Sequence, residues 1–347
     1  MASNPVRIGL IGCGTQAHVH FRGLQALGRD KAIVTSICDL DPKRLTEAAD
    51  LWPEARTSTD YIDMLEGDIL DLVIIATMPN THHQMALASL EAGAHILCEK
   101  PFMMHAGEAE EVLAKAAQSK RQVQLGTNMR YLPSSQHARQ FMASQKIGKP
   151  VYLKAWGCHT VPPAWAPHYH LATSGGGVLA STLIHTLDLA MWIALSPNPI
   201  SVSASTSRLF PTKRGPKLAS HVHAGYDAED LISGFIRFDN GSYCALEGNW
   251  CSEGTDFHSF QITAEKGTIT GAPYSVRIDK EGEVEDITPS LDTDNWSESI
   301  WAQDAEIIDK LQRGEPWSLQ DARQLLNLQK IIDACYESAR RGREVLI

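Results

Sequence analysis

The chain is short of positive charge. Its 347 residues carry 31 lysines and arginines against 41 aspartates and glutamates, a formal charge of −10. Nucleic acid and anionic membrane both call for a basic surface, so neither is expected as a partner. The basic residues are scattered, and the densest run, ARRGRE at 339–344, reads as a solvated helix end.

Long apolar runs are missing as well. No window holds about eighteen consecutive apolar residues, so no membrane span is expected. The start, MASNPVRIGLIG, enters a strand at once, without a charged segment and an isolated apolar stretch, so no secretory signal is expected. CxxC is absent, and seven cysteines are an odd number, which suits reduced thiols in the cytoplasm. Cys38, Cys98 and Cys244 sit in apolar strands as small core residues. His168 with His170, and His221 with His223, stand two apart, which on a strand aims both at one side. No third ligand follows at a telling spacing, so no metal is expected. Repeats, low-complexity tracts and long linkers are absent too.

What remains is an ordinary globular composition, 43% apolar and 21% charged. The length exceeds one ordinary core and implies two domains. The first part alternates strand and helix. VRIGLIG, AIVTSICD, DLVIIAT, HILCEK and VQLGTN read as strands, with helices over 15–28, after Pro42, over 80–92 and near 106–119. Strands separated by helix-length segments imply right-handed crossovers and a doubly wound parallel sheet. From about residue 150 the strands lengthen and the connections shorten: PVYLKAWGC, ISVSASTSRL, DLISGFIRFDNGSYCALEGNW and FHSFQITAEKGTITG. This predicts a large, mostly antiparallel open sheet, interrupted by a helix around 177–195, with a type I′ hairpin at Asn240-Gly241. Two helices close the chain. The last is expected to begin at Ser318, with Asp321 completing a capping pair, and to bury Leu325, Leu328, Ile332 and Cys335. The expected domains are residues 1–126, a Rossmann domain, and 127–347, an α/β domain.

Gly12-x-Gly14-x-x-Ala17 follows a strand and opens a helix. The first glycine permits the tight turn, the second lets a pyrophosphate approach the backbone, and the small third residue lets helix and strand pack. The helix N-terminus then meets the anion. Asp39 ends the second strand, where a carboxylate receives ribose hydroxyls and repels a 2′-phosphate. Leu40 follows it, so NAD is expected over NADP, although Lys43 and Arg44 lie near.

Glu99-Lys100-Pro101 ends an apolar strand. Ligands of open α/β sheets bind at such carboxyl ends. A lysine there holds a substrate hydroxyl and stabilises oxygen as it gains charge, and Pro101 fixes its backbone, a cis peptide being one route. The aromatic and histidine-rich stretch GCHTVPPAWAPHYH offers Trp165, His168 and Tyr169 as sugar contacts, or else forms a plain structured loop.

These residues carry a resemblance. GLIGCGTQA, Asp39, ATMPNTHH, LEAGAHILCEKPF, GTNMRYLP, GGGVLASTLIHTLDLAMW, AEDLISGFIRFDNGS and a late GTI resemble, in order, the glucose–fructose oxidoreductase / inositol dehydrogenase / MocA family. The resemblance implies NAD(P)-dependent oxidation of a sugar or cyclitol hydroxyl, or the reverse, and a homodimer or homotetramer built on the second sheet. It implies cofactor contacts at Gly12, Gly14, Thr15, Gln16, Ala17, Asp39, Ala76, Thr77, Pro79, Asn80, His83, Glu99, Lys100 and Asn128. Lys100 matches the family's catalytic lysine, and Arg130 and Tyr131 match positions near the substrate. In the second domain the family pattern is three glycines, an aspartate, a histidine four residues on and an aspartate three further. Gly175 to Gly177, His185 and Asp188 match, but Ser181 replaces the first aspartate and Leu183 a glycine. Residues 181, 185 and 188 share one helix face, and His185 is the expected general base. It and Lys100 are expected to meet at one alcohol. Two alternatives stay open: a glycoside hydrolase that oxidises and re-reduces its substrate, and a non-catalytic dinucleotide sensor.

Overall fold

The structure, a computed structural model, describes residues 4–162, 169–209, 225–251, 256–317 and 322–347. They form two compact units, Met1–Tyr131 with Asn295–Leu325, and Leu132–Asp294 with Leu326–Ile347.

The first unit runs β1 (Val6–Ile11), α1 (Thr15–Leu27), β2 (Ala32–Cys38), α2 (Pro42–Leu51), β3 (Arg56–Ser58), α3 (Tyr61–Gly67), β4 (Leu72–Ile75), α4 (Pro79–Glu91), β5 (His95–Cys98), α5 (Ala106–Ser119) and β6 (Val123–Leu125). Its six strands are all parallel, in the order β3-β2-β1-β4-β5-β6. The direction of winding reverses between β1 and β4, which places the ligand crevice beyond the carboxyl ends of those strands. All four residues of β4 are buried, as a sheet covered by helices on both faces requires. Each such side chain contributes about 1.5–3 kcal/mol by leaving water. The edge strand β3, three residues, and helix α3, seven, escape sequence reading because each is too short to show a clear period.

Residues 295–325 return to this unit. Their helix, α9 (Trp296–Arg313), starts where the Asn295 side chain accepts from the Glu298 N–H and stops at Gly314, φ 66°. Ile307 and Ile308 enter the core beside Leu10, Phe21 and Leu24. Trp301 lies against α1 at Gly23, where an added Cβ would stand 2.4 Å from the indole, and its Nε1–H donates to the Val19 carbonyl at 3.0 Å.

The second unit holds α6 (Pro133–Ala143), β7 (Pro150–Cys158), α7 (Leu171–Ser174), a π-helical turn (Leu179–Leu183), α8 (Ile184–Ile193), β8 (Pro199–Ser207), β9 (Leu231–Phe238), β10 (Tyr243–Asn249), β11 (Phe257–Ala264), β12 (Gly267–Thr270), β13 (Ser275–Lys280), β14 (Glu283–Asp286) and β15 (Val345–Leu346). The nine strands form one sheet, β14-β13-β12-β11-β7-β10-β9-β8-β15. Only β7 and β10 pair in parallel; every other neighbour is antiparallel. The stretch Leu171–Ile193 is long and apolar enough to cross a membrane, yet 94% of its apolar 18-residue window is buried inside the protein. It covers one face of the sheet.

Two local expectations change. The hairpin between β9 and β10 is not type I′, which needs two left-handed residues. Gly241 alone is left-handed, φ 83°, and Phe238 pairs with Ser242 around a three-residue loop in which the Asn240 side chain accepts from the Ser242 N–H. In the last helix, α10 (Ala322–Arg341), Leu325, Leu328, Ile332 and Cys335 are buried, while the expected cap at Ser318 and Asp321 lies outside the described residues.

Candidate functional site

In the first unit the glycine loop is shaped by its neighbours. Gly12 has φ 93°, and a Cβ there would lie 2.6 Å from the Ala76 carbonyl oxygen. Gly14 is the opposite case: a Cβ would meet nothing within 4 Å. Gly14 caps α1, no side chain caps the helix, and its first turn holds no acid. Open space before uncapped N–H groups is what a pyrophosphate requires. Ala17 is fully buried against the sheet, so Thr15 and Gln16 form the turn that faces the opening.

Asp39 follows β2. Its Oδ2 accepts from the Cys13 N–H at 2.6 Å and its Oδ1 from the Asp41 N–H at 2.8 Å. A carboxylate has about four acceptor sites, so two backbone bonds orient it and leave capacity for ribose hydroxyls. Leu40 is 86% exposed. Lys43 and Arg44 pair within their own helix, with Glu47 at 3.9 Å and Asp41 at 3.7 Å. The residues present therefore fit a dinucleotide. Ala76 and Thr77 follow β4, and Pro79 and Asn80 open α4 beside them.

Lys100 stands at the carboxyl end of β5. From Ile96 to Met103 every residue is buried except Lys100, which keeps partial access to solvent. Its peptide bond to Pro101 is cis, as one of the expected routes to a fixed lysine backbone. Burial lowers the ammonium pKa, and the Glu99 charge opposes that shift. Glu99 is itself buried. It accepts from the Gln16 side chain at 2.9 Å and from the Lys100 N–H at 3.2 Å, so it ties the dinucleotide loop to the lysine.

Geometry gives several of the expected contact residues protein partners. His83 does not face this crevice: its Nε2 lies 3.0 Å from Glu111 on α5. His82, fully buried, bridges the carbonyls of Pro101, Phe102 and Thr77 at 3.0, 3.1 and 3.2 Å, and so supports the lysine turn. Asn128, Arg130 and Tyr131 are committed to the returning segment. Asn128 donates to Ser299 at 2.8 Å, Arg130 to Gln324 at 3.2 Å, and the Tyr131 hydroxyl to Glu306 at 2.7 Å. Sequence reading had no sight of residues 295–325 beside them.

In the second unit, the wide π turn Leu179–Leu183 precedes α8. Every residue of α8 is buried except His185, which is half-buried. Ser181 and Asp188 are buried on the same segment. The segment is anchored by Glu229, whose carboxylate accepts from the Gly177 and Leu179 N–H groups at 2.7 and 3.0 Å and from the Tyr336 hydroxyl at 3.0 Å. Burial raises its pKa despite those donors. Tyr169 is a core residue: it is fully buried, stacked on Tyr226 at 5.0 Å and edge-on to Trp250 at 6.0 Å. Trp165, His168, His221 and His223 lie outside the described residues. Among the described residues no group of three or more His, Cys, Asp or Glu is placed to hold a metal. A cleft of about 790 Å³, lined by Val6, Asp71 and His95 among others, opens at the amino-terminal edge of the parallel sheet, away from the crevice.

Sequence reading missed His20, His82, Asp304 and Glu229. For His20 a signal existed: it shares the buried face of α1 with Ala17, Phe21 and Leu24, and a histidine in an apolar stripe needs buried partners.

A family profile described as "Oxidoreductase family, NAD-binding Rossmann fold" matches residues 6–127, and one described as "GFO/IDH/MocA C-terminal domain" matches residues 135–270. Over 349 residues, 99% of this chain and 98% of the relative, the sequence is 26% identical to D-glucoside 3-dehydrogenase of Escherichia coli strain K12. It is 27% identical over 344 residues to inositol 2-dehydrogenase 2 of Paenarthrobacter aurescens strain TC1, covering 96% of each chain. A solved structure of levoglucosan dehydrogenase, in complex with NADH and levoglucosan, shares the fold with a TM-score of 0.86 at 19% identity, over 99% of this chain and 100% of that one.

Proposed function

As a member of the GFO/IDH/MocA oxidoreductase family, the chain acts on sugar or polyol alcohols, and we propose that it exchanges a hydride between NAD and a secondary hydroxyl of a sugar, sugar derivative or cyclitol. The reading rests on Lys100, the one accessible side chain in a sealed segment at the carboxyl end of the parallel sheet. When bound, the nicotinamide supplies the hydride acceptor. Gly14 and the α1 N-terminus would hold the cofactor's pyrophosphate beyond the turn shaped by Gly12, and Asp39 would hold its adenosine ribose. The Lys100 ammonium holds the reacting oxygen and stabilises its growing negative charge. His185 takes the hydroxyl proton as general base, without a carboxylate at position 181. The test is a screen of cyclitols, aldoses, sugar acids and glycosides with NAD. Accumulation of NADH in step with substrate consumed is expected; aglycone release with no net NADH would mark a hydrolase instead.

NAD is expected over NADP by about 10²-fold or more in kcat/KM, because a 2′-phosphate would stand beside the Asp39 carboxylate. Equal efficiencies would refute this. Asp39→Ser should narrow the ratio, chiefly by weakening use of NAD.

The second sheet suits self-association. On the face of β7, β9 and β10 opposite the buried Leu153, Ala155, Ile236 and Cys244, Tyr152 meets Tyr243 at 4.8 Å and Phe235 meets Tyr243 at 5.3 Å. Lys154 lies over the Tyr152 and Trp156 rings at 5.3 and 5.6 Å. Such aromatic surface on a sheet face is a contact for a second copy. Sedimentation should give a dimer or tetramer, and Tyr243→Glu should shift it to monomer; a monomeric wild-type chain would exclude the interface. All seven cysteines are buried thiols, the form kept in a reducing compartment, which supports a cytoplasmic location.

A further inference from the structure

The buried histidine of α1 is unused by the reaction just described, and its surroundings are unusual. His20 has no exposed surface. Its Nδ1 lies 3.0 and 2.9 Å from the two carboxylate oxygens of Asp304 on α9. Its Nε2 lies 3.2 Å from Glu99 Oε1. A neutral imidazole has one N–H and would turn a lone pair toward one carboxylate; only the imidazolium donates to both. The carboxylate on the Nε2 side is the one that also receives the Lys100 N–H and the Gln16 amide. Gly126 leaves room for it: a Cβ there would stand 2.8 Å from Glu99 Oε1.

We propose that His20 is a positioning residue, a permanent imidazolium clamped between Asp304 and Glu99, which holds Glu99 against Lys100 and so sets the orientation and charge of the lysine. The inference rests on Lys100 being the group that binds the reacting oxygen. The electrostatics agree with the geometry. Burial alone would depress His20, but Asp304 and then Glu99 push its pKa up to about 10. Burial raises Asp304, and His20 draws it back in part. Burial also works to raise Glu99, but the histidine overcomes it and holds Glu99 below the usual carboxylate range. The titratable groups facing His20 are thus Asp304 from α9 and Glu99 from the end of β5, and Lys100 faces Glu99 in turn.

Removing the cation leaves two buried carboxylates with only Lys100 as counter-charge, on the Glu99 side, and such a site takes up a proton more readily. A protonated Glu99 no longer supports the ammonium of Lys100, so the lysine loses its proton at lower pH. His20→Gln in the full-length protein is therefore expected to move the alkaline limb of kcat/KM down by about one pH unit or more, with KM for NAD changed less than kcat. The pH midpoint for acetylation of Lys100 by acetic anhydride, read by mass spectrometry, should fall with it. A merely structural histidine would lower the yield of folded protein and leave both midpoints in place, and unchanged midpoints would overturn the proposal. Asp304→Asn, which keeps one carboxylate on the ring, should shift both midpoints less, and serves where His20→Gln does not fold. Nitrogen NMR of histidine-labelled wild-type protein needs no variant: the His20 ring should keep both N–H protons at pH 8, and a neutral ring at pH 7 would overturn the clamp. If Lys100→Met keeps wild-type turnover while the ring is charged and the acetylation midpoint still moves, the functional reading fails and the charged clamp stands.

Discussion

Lys100→Met is expected to lower kcat for NAD-linked oxidation of the best substrate by about 10³-fold, while NAD affinity changes by no more than about threefold. Methionine keeps the length and the apolar stem of lysine but offers no charge. The ammonium stands on a segment buried on both sides, Ile96 to Cys98 before it and Pro101 to Met103 after it. In the proposed reaction its contribution grows as the alcohol oxygen becomes an alkoxide, and an interaction that strengthens in the transition state appears in kcat and kcat/KM alike. Single-turnover hydride transfer, followed by NADH absorbance, and NAD titration measured separately give the two numbers. A variant with near wild-type turnover would remove Lys100 from the chemistry.

His185→Asn should cost about 10²–10⁴-fold in kcat. Asparagine retains a hydrogen-bonding side chain of similar width, so the change tests proton removal more than packing. The imidazole is the one side chain of α8 left open to solvent, in a helix otherwise buried from Ile184 to Ile193. A residue held there for packing alone would be buried like its neighbours. Because no carboxylate stands at position 181, Ser181→Ala should cost far less than His185→Asn. An equal loss would mean that the serine hydroxyl carries the proton. Retention of turnover by His185→Asn would dismiss the histidine as base.

The features legible in the sequence are those set by short-range rules. Alternating strand and helix lengths announce the parallel sheet. Gly12 is demanded by a backbone angle that only glycine adopts easily, and Asp39 follows at the spacing one crossover dictates. The apolar run before Lys100 already marks that residue as a charge at a strand end. The three-residue hairpin at 239–241 differs from the type I′ expectation because turn type depends on how Phe238 pairs with Ser242, not on the Asn-Gly pair alone. Adjacent helix positions point about 100° apart, and the core, not the His-His dipeptide, selects His82 to turn inward while His83 meets Glu111.

The sequence by itself determined the two sheets, the dinucleotide loop, the lysine turn and the family. Only the tertiary structure decided that residues 295–325 return to the first unit, that Asn128, Arg130 and Tyr131 hold that segment, and that His20 lies between two carboxylates. His20 and Asp304 are 284 positions apart. No local propensity records such a pairing: both residues are acceptable on solvated helices, and their meeting is chosen by the packing of Trp301, Ile307 and Ile308 against α1 and the core. Periodicity tells a helix which face to bury; which distant charge it then meets is settled only when that face is covered.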